Sequence, residues 1–101
     1  MPLLFSYGTL QFQNIQLALY KRNPDFFSDS ISGYSIISIS LGGEKYPALI
    51  PSNNSSTLIK GNVYNITEDE LAITDEYEGD AYKRILQKLA SGKEAWLYIL
   101  A

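Results

Sequence analysis

Short runs in which apolar and polar residues alternate dominate the middle of the chain. From Ser30 to Leu41, isoleucine or leucine occupies positions 31, 37, 39 and 41, whereas serine occupies 32, 38 and 40. A period of two is typical of a strand with one buried face. Further strands are predicted at Tyr46–Ile50, where Pro47 suggests a sheet edge or a bulge, and at Thr57–Ile66. Because only short turns separate these runs, the pattern predicts a largely antiparallel sheet.

Two helices interrupt the strands. Residues Asn14–Lys21 carry enough apolar side chains for a short helix. Thr67 and Glu70 have the spacing of a capping box, in which each residue bonds the backbone amide of the other. The second helix is therefore predicted to begin there, to run to about Glu78 and to end at Gly79, a natural C-cap.

The order of the elements defines the predicted fold class. A buried strand at Leu3–Phe5 opens the chain, and strands at Ala81–Leu89 and Lys93–Leu100 close it, which gives the order β-α-β-β-β-α-β-β. We expect an α+β fold, a small mixed and largely antiparallel β-barrel with two short helices. The 101 residues have room for one hydrophobic core only, so 1–101 is predicted to be a single domain.

Cysteine and histidine are both absent from the sequence. Their absence excludes disulfides, thiol nucleophiles, zinc sites of the Cys or His type, and Ser-His-Asp or Cys-His catalysis. Proton transfer must then use Asp, Glu, Tyr, Lys or water, and Glu suits this task where its surroundings raise its pKa.

The charge pattern limits the possible partners and location. The formal net charge is −3, and the eight basic residues form no cluster of the kind that binds nucleic acid. The start of the sequence lacks the basic segment of a signal peptide, and no apolar run approaches the length of about 20 residues that spans a bilayer. We expect a cytoplasmic protein, a monomer or homodimer, that binds neither membranes nor nucleic acid.

Acidic residues concentrate in one segment, with seven of eleven between Glu68 and Asp80. A solvated helix face explains those in the first turn, where the helix dipole favours negative charge. It explains Asp75, Glu76 and Glu78 poorly, because the dipole disfavours acids in the last turns. Asp75 and Glu78 also share a side of the helix with Leu71. A partly buried carboxylate near others has a raised pKa and is a general-base candidate, although structural networks also perturb pKa values.

Other features have ordinary interpretations when each is taken alone. The turn Tyr7-Gly8-Thr9-Leu10 follows a buried strand and could present backbone amides to an anion, but a glycine turn without a ligand is commoner. Tyr82, Trp96 and Tyr98 are expected in the core or the barrel wall. Arg84 is expected to pair with a nearby acid at the surface.

Several segments together resemble the γ-glutamylcyclotransferase-like family, and in the family's order. The matching segments are residues 4–10 (LFSYGTL, the opening Y-G-[ST] motif), 46–51 (YPALIP), 60–64 (KGNVY, a G-x-[VL]-[YW] strand), 75–84 (DEYEGDAYKR, the D-x-x-E-[GS]…Y-x-R signature) and 95–98 (AWLY). These segments span nearly the whole chain. Thr74 departs from the pattern, because the family usually has an apolar residue there.

The resemblance implies a small-molecule γ-glutamyl substrate, a γ-glutamyl amine or γ-glutamyl amino acid, cyclised to 5-oxoproline with release of the amine. It assigns substrate binding to the loop Tyr7, Gly8, Thr9 and Leu10, and the general base to Glu78. The enzyme would be a cyclotransferase of the acyltransferase class, and the implied mechanism requires neither a cofactor nor a metal. The alternative is a non-catalytic binding module that uses the same pocket, and retention of Glu78 favours the enzyme. A structural interaction domain is the third and least favoured interpretation.

Overall fold

The computed structural model describes residues 2–53 and 57–101. Across these residues strands and helices follow in the order that the sequence predicts, with one additional strand. The elements are β1 (Leu3–Ser6), α1 (Gln13–Tyr20), β2 (Phe26–Ile31), β3 (Tyr34–Leu41), β4 (Glu44–Pro51), β5 (Ile59–Asn65), α2 (Glu68–Glu78), β6 (Tyr82–Lys88) and β7 (Glu94–Leu100), with a 3-10 turn at Thr9–Gln11.

The first strand lies at the centre of a five-stranded sheet with the order β2-β5-β1-β7-β6. It pairs antiparallel with β5, with Phe5 opposite Val63, and parallel with β7, with Leu4 opposite Trp96. The β5 strand can approach because it carries Gly61. A side chain at that position would begin 2.4 Å from the Ser6 carbonyl oxygen, which no real side chain tolerates. This glycine therefore allows β5 to lie close against the end of β1.

The alternating Ser30–Leu41 run divides into two strands instead of one. Gly33 has φ of +85°, a conformation that only glycine adopts readily, and it turns the chain between β2 and β3. Strand β3 then leaves the sheet of β2 and forms a separate two-stranded sheet with β4. In this hairpin Pro47 lies opposite Ser38 on the edge strand β4, so the predicted edge position of the proline is confirmed.

The α+β class, the two helices and the mixed, largely antiparallel pairing are confirmed, but the sheets are not closed into a barrel. Among the described strands, β2 pairs only with β5 and β6 only with β7, so both are edges. The break at Gly33 is the physical reason, because it moves β3 into another sheet. Hydrogen bonds still link the two sides: Tyr34 of β3 donates to Gln87 of β6 at 2.8 Å, and the Ser91 amide, just after β6, donates to Asp29 of β2 at 3.3 Å.

Side chains alternate across the central strands and supply two hydrophobic clusters. Phe5 of β1 and Leu97 of β7 belong to one cluster, and their neighbours Leu4 and Tyr98 belong to the other. The second cluster is covered by the helices, which contribute Tyr20 from α1 and Leu71 from α2. Helix α2, which carries the acidic segment, therefore packs on the sheet face that holds the second cluster.

Helix α2 has the predicted ends. Thr67 accepts from the Glu70 amide at 3.0 Å, and Glu70 accepts in return from the Thr67 amide at 2.9 Å, which is a complete capping box. Gly79, with φ of 72°, ends the helix. Thr74, which departs from the family pattern, is fully buried, and its hydroxyl bonds the Glu70 carbonyl at 2.7 Å and the Tyr20 hydroxyl. A polar residue is tolerated there because both bonds satisfy it.

Within residues 2–53 and 57–101, no helix is both long enough and apolar enough to cross a bilayer.

Candidate active site

The opening loop and the end of the acidic helix, far apart in sequence, line one cavity of about 280 Å³. Its lining combines backbone and side chains from the start of the chain, the β3–β4 hairpin, the end of α2, and β6 and β7. The lining residues are Phe5, Ser6, Tyr7, Gly8, Thr9, Leu10, Leu41, Tyr46, Pro47, Tyr77, Glu78, Tyr82 and Tyr98. All five of the predicted site residues, Tyr7 to Leu10 and Glu78, are therefore brought together.

The Tyr7–Leu10 loop follows directly after the central strand β1. A 3-10 turn follows Gly8, and its own hydrogen bonds begin where the amides of Gln11 and Phe12 donate to the carbonyls of Gly8 and Thr9. The amides of Thr9 and Leu10 precede these bonds and are not used by the turn. Backbone donors at the start of a helical turn suit an anion or a polarised carbonyl.

Gly8 does not adopt a backbone conformation that requires glycine. Its φ is −124°, outside the left-handed region that favours glycine. A Cβ there would lie 3.5 Å from the Pro47 Cγ, an ordinary contact. The absence of a side chain thus leaves the loop backbone open to the cavity instead of permitting a special turn.

Glu78 is the last residue of α2 and is half-buried in the cavity wall. Burial raises the pKa of its carboxyl from the ordinary value to about 7. The sequence indicated a raised pKa for a carboxylate in this segment, from partial burial and from neighbouring carboxylates together. Burial is the cause in the structure, and the nearest acid on the same helix face, Asp75, is bonded to two strands instead.

Tyrosine hydroxyls fix the walls of the cavity to one another. Tyr7 donates to the Tyr98 carbonyl at 2.8 Å, and Tyr82 donates to the Pro47 carbonyl at 2.9 Å. At the cavity mouth the hydroxyls of Thr9 and Tyr77 lie 2.7 Å apart. Burial, with a contribution from the Glu78 charge, raises the pKa of both Tyr7 and Tyr82, so these phenols stay protonated and act as donors.

Several lining residues were not identified as site residues from the sequence. Tyr82 and Tyr98 were interpreted as core or wall residues, which is correct for their rings, but both also face the cavity. Leu41 and Tyr46 come from the β3–β4 hairpin, whose placement depends on the break at Gly33. Tyr77 offered one signal, because a tyrosine beside Glu78 on an acidic helix end is an unusual choice for a solvated turn.

Within residues 2–53 and 57–101, no three acidic side chains come together as a potential metal site. The cavity itself is lined by one acid, Glu78, and by neither lysine nor arginine among the described residues. Chemistry in this cavity would therefore depend on one carboxyl group, several phenols and the backbone donors of the loop.

Comparison with known proteins shows how this arrangement is related to others. AIG2-like protein C of Arabidopsis thaliana is 37% identical over 82 residues, which cover 80% of this chain and 45% of that protein. AIG2-like protein D of the same plant is 34% identical over 82 residues, covering 80% of this chain and 51% of that protein. The chain thus spans about half the length of these curated relatives.

Solved structures share the fold. The solution structure of an Arabidopsis thaliana protein superposes with a TM-score of 0.81 at 24% identity, covering 98% of this chain and 68% of that one. A structure described as a γ-glutamyl cyclotransferase gives 0.80 at 19% identity, covering 99% and 66%. The family model described as "Gamma-glutamyl cyclotransferase, AIG2-like" matches residues 4–101. The chain therefore belongs to the AIG2-like γ-glutamyl cyclotransferase family.

Proposed function

We propose that the protein is a cyclotransferase that converts a γ-glutamyl amine or γ-glutamyl amino acid to 5-oxoproline and releases the amine, with Glu78 as general base. The observation that carries the proposal is the raised pKa of Glu78, about 7, in a cavity that it shares with the Tyr7–Leu10 loop. A carboxyl group of this pKa can both accept and return a proton near neutral pH. A solvated surface carboxylate would not.

The reaction needs one proton acceptor and correct alignment. Glu78 takes a proton from the substrate's α-ammonium group, and the free amine attacks the γ-carbonyl carbon of the same molecule. A five-membered ring forms, and protonated Glu78 gives its proton to the leaving nitrogen as the bond from the γ-carbon to that nitrogen breaks. The ring nitrogen then loses its second proton to the regenerated Glu78 carboxylate, which passes it to the released amine or to water, so a neutral lactam results. Because the nucleophile belongs to the substrate, alignment in the cavity replaces a nucleophilic side chain.

The loop would supply binding and charge stabilisation. The amides of Thr9 and Leu10 precede the hydrogen bonds of the 3-10 turn, so they are suited to the substrate carboxylate or to the oxygen that becomes negative during attack. The neutral phenols of Tyr7 and Tyr82 surround Glu78 without supplying a positive charge that would lower its pKa. The walls thus preserve the basicity of the carboxyl group.

The lining also favours one kind of leaving group. An amino acid leaving group carries its own carboxylate, and no lysine or arginine lines the described cavity to pair with it. Leu41, Tyr46 and Tyr77 instead offer apolar and aromatic surface near the mouth. We therefore propose that γ-glutamyl amines are turned over better than γ-glutamyl amino acids.

The test is a direct assay. The purified chain is incubated with a γ-glutamyl alkylamine and, in parallel, with a γ-glutamyl amino acid, and 5-oxoproline is measured by mass spectrometry with and without a chelator. We expect release from both in either condition, and faster release from the amine. Specific binding of these compounds without any 5-oxoproline would instead assign the chain to a non-catalytic binding module.

A further inference from the structure

The side chain of Asp75 is 42% exposed, yet it contacts residues of two strands. Its Oδ1 accepts from the Tyr98 hydroxyl at 2.6 Å and lies 3.2 Å from the Arg84 Nε. Tyr98 belongs to β7 and Arg84 to β6, so one carboxylate joins the second half of α2 to the β6–β7 hairpin. Exposed ion pairs generally contribute little to stability, which leaves a geometric role as the better explanation of this arrangement.

Arg84 is itself held in place on the sheet. Its guanidinium carbon lies 4.4 Å from the centre of the Trp96 ring, a cation–π distance. Its Nη1 is buried and has no hydrogen-bond partner among the described residues. Leaving a buried donor unpaired costs free energy. The contacts of the guanidinium with Asp75 and Trp96 offset this cost and hold the group in place.

Tyr98 connects both walls of the cavity. Its hydroxyl donates to Asp75 of α2, and its carbonyl accepts from Tyr7 of the opening loop at 2.8 Å. Burial and the bond to Asp75 raise the pKa of the Tyr98 phenol, so it stays a donor. Because one residue makes both contacts, the separation between the helix end and the loop depends on it.

Glu78 lies three residues after Asp75, close to one turn further along the helix. The end of a helix frays unless tertiary contacts hold it, and the last turn of α2 has no basic residue to offset the dipole. Gly79 follows at once with φ of 72°, a value that favours glycine. Tyr77 bonds the exposed side of this last turn to Thr9 of the loop, and the contacts of Asp75 hold the turn to the β6–β7 hairpin.

We propose that Asp75 is a positioning residue for Glu78. Held by Tyr98 and Arg84, it fixes the last turn of α2 and so sets where the Glu78 carboxyl lies relative to the Tyr7–Leu10 loop. The inference rests on the proposed function for its chemical meaning, but the placement of Glu78 can be measured without turnover.

The titration of Glu78 reports on that placement. The groups that sense its charge lie on four sides: Tyr7 after β1, Tyr20 on α1, Tyr82 on β6 and Tyr98 on β7. Each of these phenols has a raised pKa and stays protonated between about pH 4 and pH 8. The phenols therefore add no charge change in this range, and the carboxyl signal that is missing from Glu78→Gln belongs to Glu78.

The experiment follows the Glu78 side-chain carboxyl by carbon-13 NMR in wild type, Asp75→Ala and Arg22→Gln. Loosening the helix end lets water reach Glu78, so we expect its midpoint in Asp75→Ala to fall by about one pH unit or more. Arg22→Gln removes the ion pair at the other end of α2, far from the cavity, and is expected to leave the midpoint unchanged. A merely structural role would lower stability in both variants and move neither titration.

Two further variants keep the test decisive if Asp75→Ala does not fold. Asp75→Asn retains an oxygen that can accept from Tyr98, so it should keep most of the wild-type midpoint, whereas Arg84→Met should shift it partway. In the assay, Asp75→Ala should lower kcat by about 10-fold to 100-fold with little change in KM. If Arg84→Met and, where it folds, Asp75→Ala leave Glu78 titrating as in wild type, the positioning role is wrong. Failure of every γ-glutamyl compound to react would contradict the proposed function instead, and the NMR result would still stand.

Discussion

The two ends of helix α2 carry the same residue type in opposite circumstances. At the first turn, Glu70 completes the capping box and accepts from Arg22 at 2.6 and 2.8 Å, and these bonds lower the pKa of its carboxyl. At the last turn, Glu78 has no basic residue in its turn, and burial raises its pKa to about 7. Glu70 therefore stabilises the start of the helix, whereas the charge of Glu78 is unfavourable for stability at its end.

This difference shows why the acidic segment cannot be interpreted as one feature. Negative charge is stabilising at a helix N-terminus and destabilising at a C-terminus. The helix dipole therefore accounts for the acids of the first turn of α2 but not for those of the last turns. Groups kept at an electrostatic cost are candidates for chemistry. The contrast between Glu70 and Glu78 therefore assigns stability to one end of the helix and proposed catalysis to the other.

The largest expected effect of breaking this contrast is on turnover. Glu78→Gln keeps the shape of the side chain but removes the proton acceptor, so we expect 5-oxoproline release to fall by about 10²–10⁴-fold. The loss could exceed this range because the chain has no histidine or cysteine to substitute. Glu76→Gln, which changes an exposed acid of the same turn, is the matched control and should keep the wild-type rate. Wild-type turnover in Glu78→Gln would show that the base is another group.

The next effect is on stability, and it depends on pH. Below about pH 4.5 Glu78 is neutral in both folded and unfolded chains, so glutamate and glutamine should be equivalent. As the pH rises through about 7, folded wild type must ionise a buried carboxyl that the unfolded chain ionises in water. Glu78→Gln should therefore become more stable than wild type by on the order of 2–3 kcal/mol above pH 7. Urea unfolding at pH 4 and pH 8 measures the difference, and an equal gain at both values would contradict a titration origin.

The ends of helix α2 could be predicted because residues close in sequence determine them, whereas the break between β2 and β3 could not. The capping box at Thr67 and Glu70 and the glycine at 79 determine the ends of α2 through contacts within a few residues, so the sequence specified them. Gly33 was overlooked because the alternation of isoleucine and serine continues past it. A left-handed residue can end a strand without disturbing the side-chain period.

The site was predictable only through the motifs. Glu78 was selected from the dipole argument and the family resemblance, but the depth of its burial depends on Tyr82, Tyr98 and the β3–β4 hairpin. These elements meet it only in the folded chain. Tyr98 illustrates the limit, because a tyrosine in an apolar strand gives no sign that its hydroxyl and its carbonyl serve opposite walls of a cavity.

A smaller effect is expected at the structural end of the helix. Thr67→Ala removes the oxygen that accepts from the Glu70 amide, and losing such a cap costs about 1 kcal/mol of unfolding free energy. Thr67→Ser retains the hydroxyl and should recover most of that loss. Both variants should turn over substrate at the wild-type rate, because the cap lies at the far end of α2 from Glu78. A fall in turnover at unchanged stability would show that the two ends are coupled.

The smallest effect sharpens the comparison by its sign. Glu70→Gln preserves an oxygen for the Thr67 amide but removes the charge that pairs with Arg22, whose side chain is 42% exposed. Solvent screening limits the loss to about 0.5–1 kcal/mol at pH 7.

The pH dependence of this loss separates the two glutamates. Because pairing lowers the pKa of Glu70 in the folded protein, the contribution of the ion pair to stability is present above the unfolded pKa of about 4.5. It disappears as the pH falls through the lower folded pKa. Glu70→Gln should therefore be less stable than wild type at pH 7 and equal to it in strong acid, whereas Glu78→Gln should be more stable at pH 7 and equal to wild type already at pH 4. If unfolding free energies of both variants change with pH in the same direction relative to wild type, the division of α2 into a structural and a chemical end is wrong.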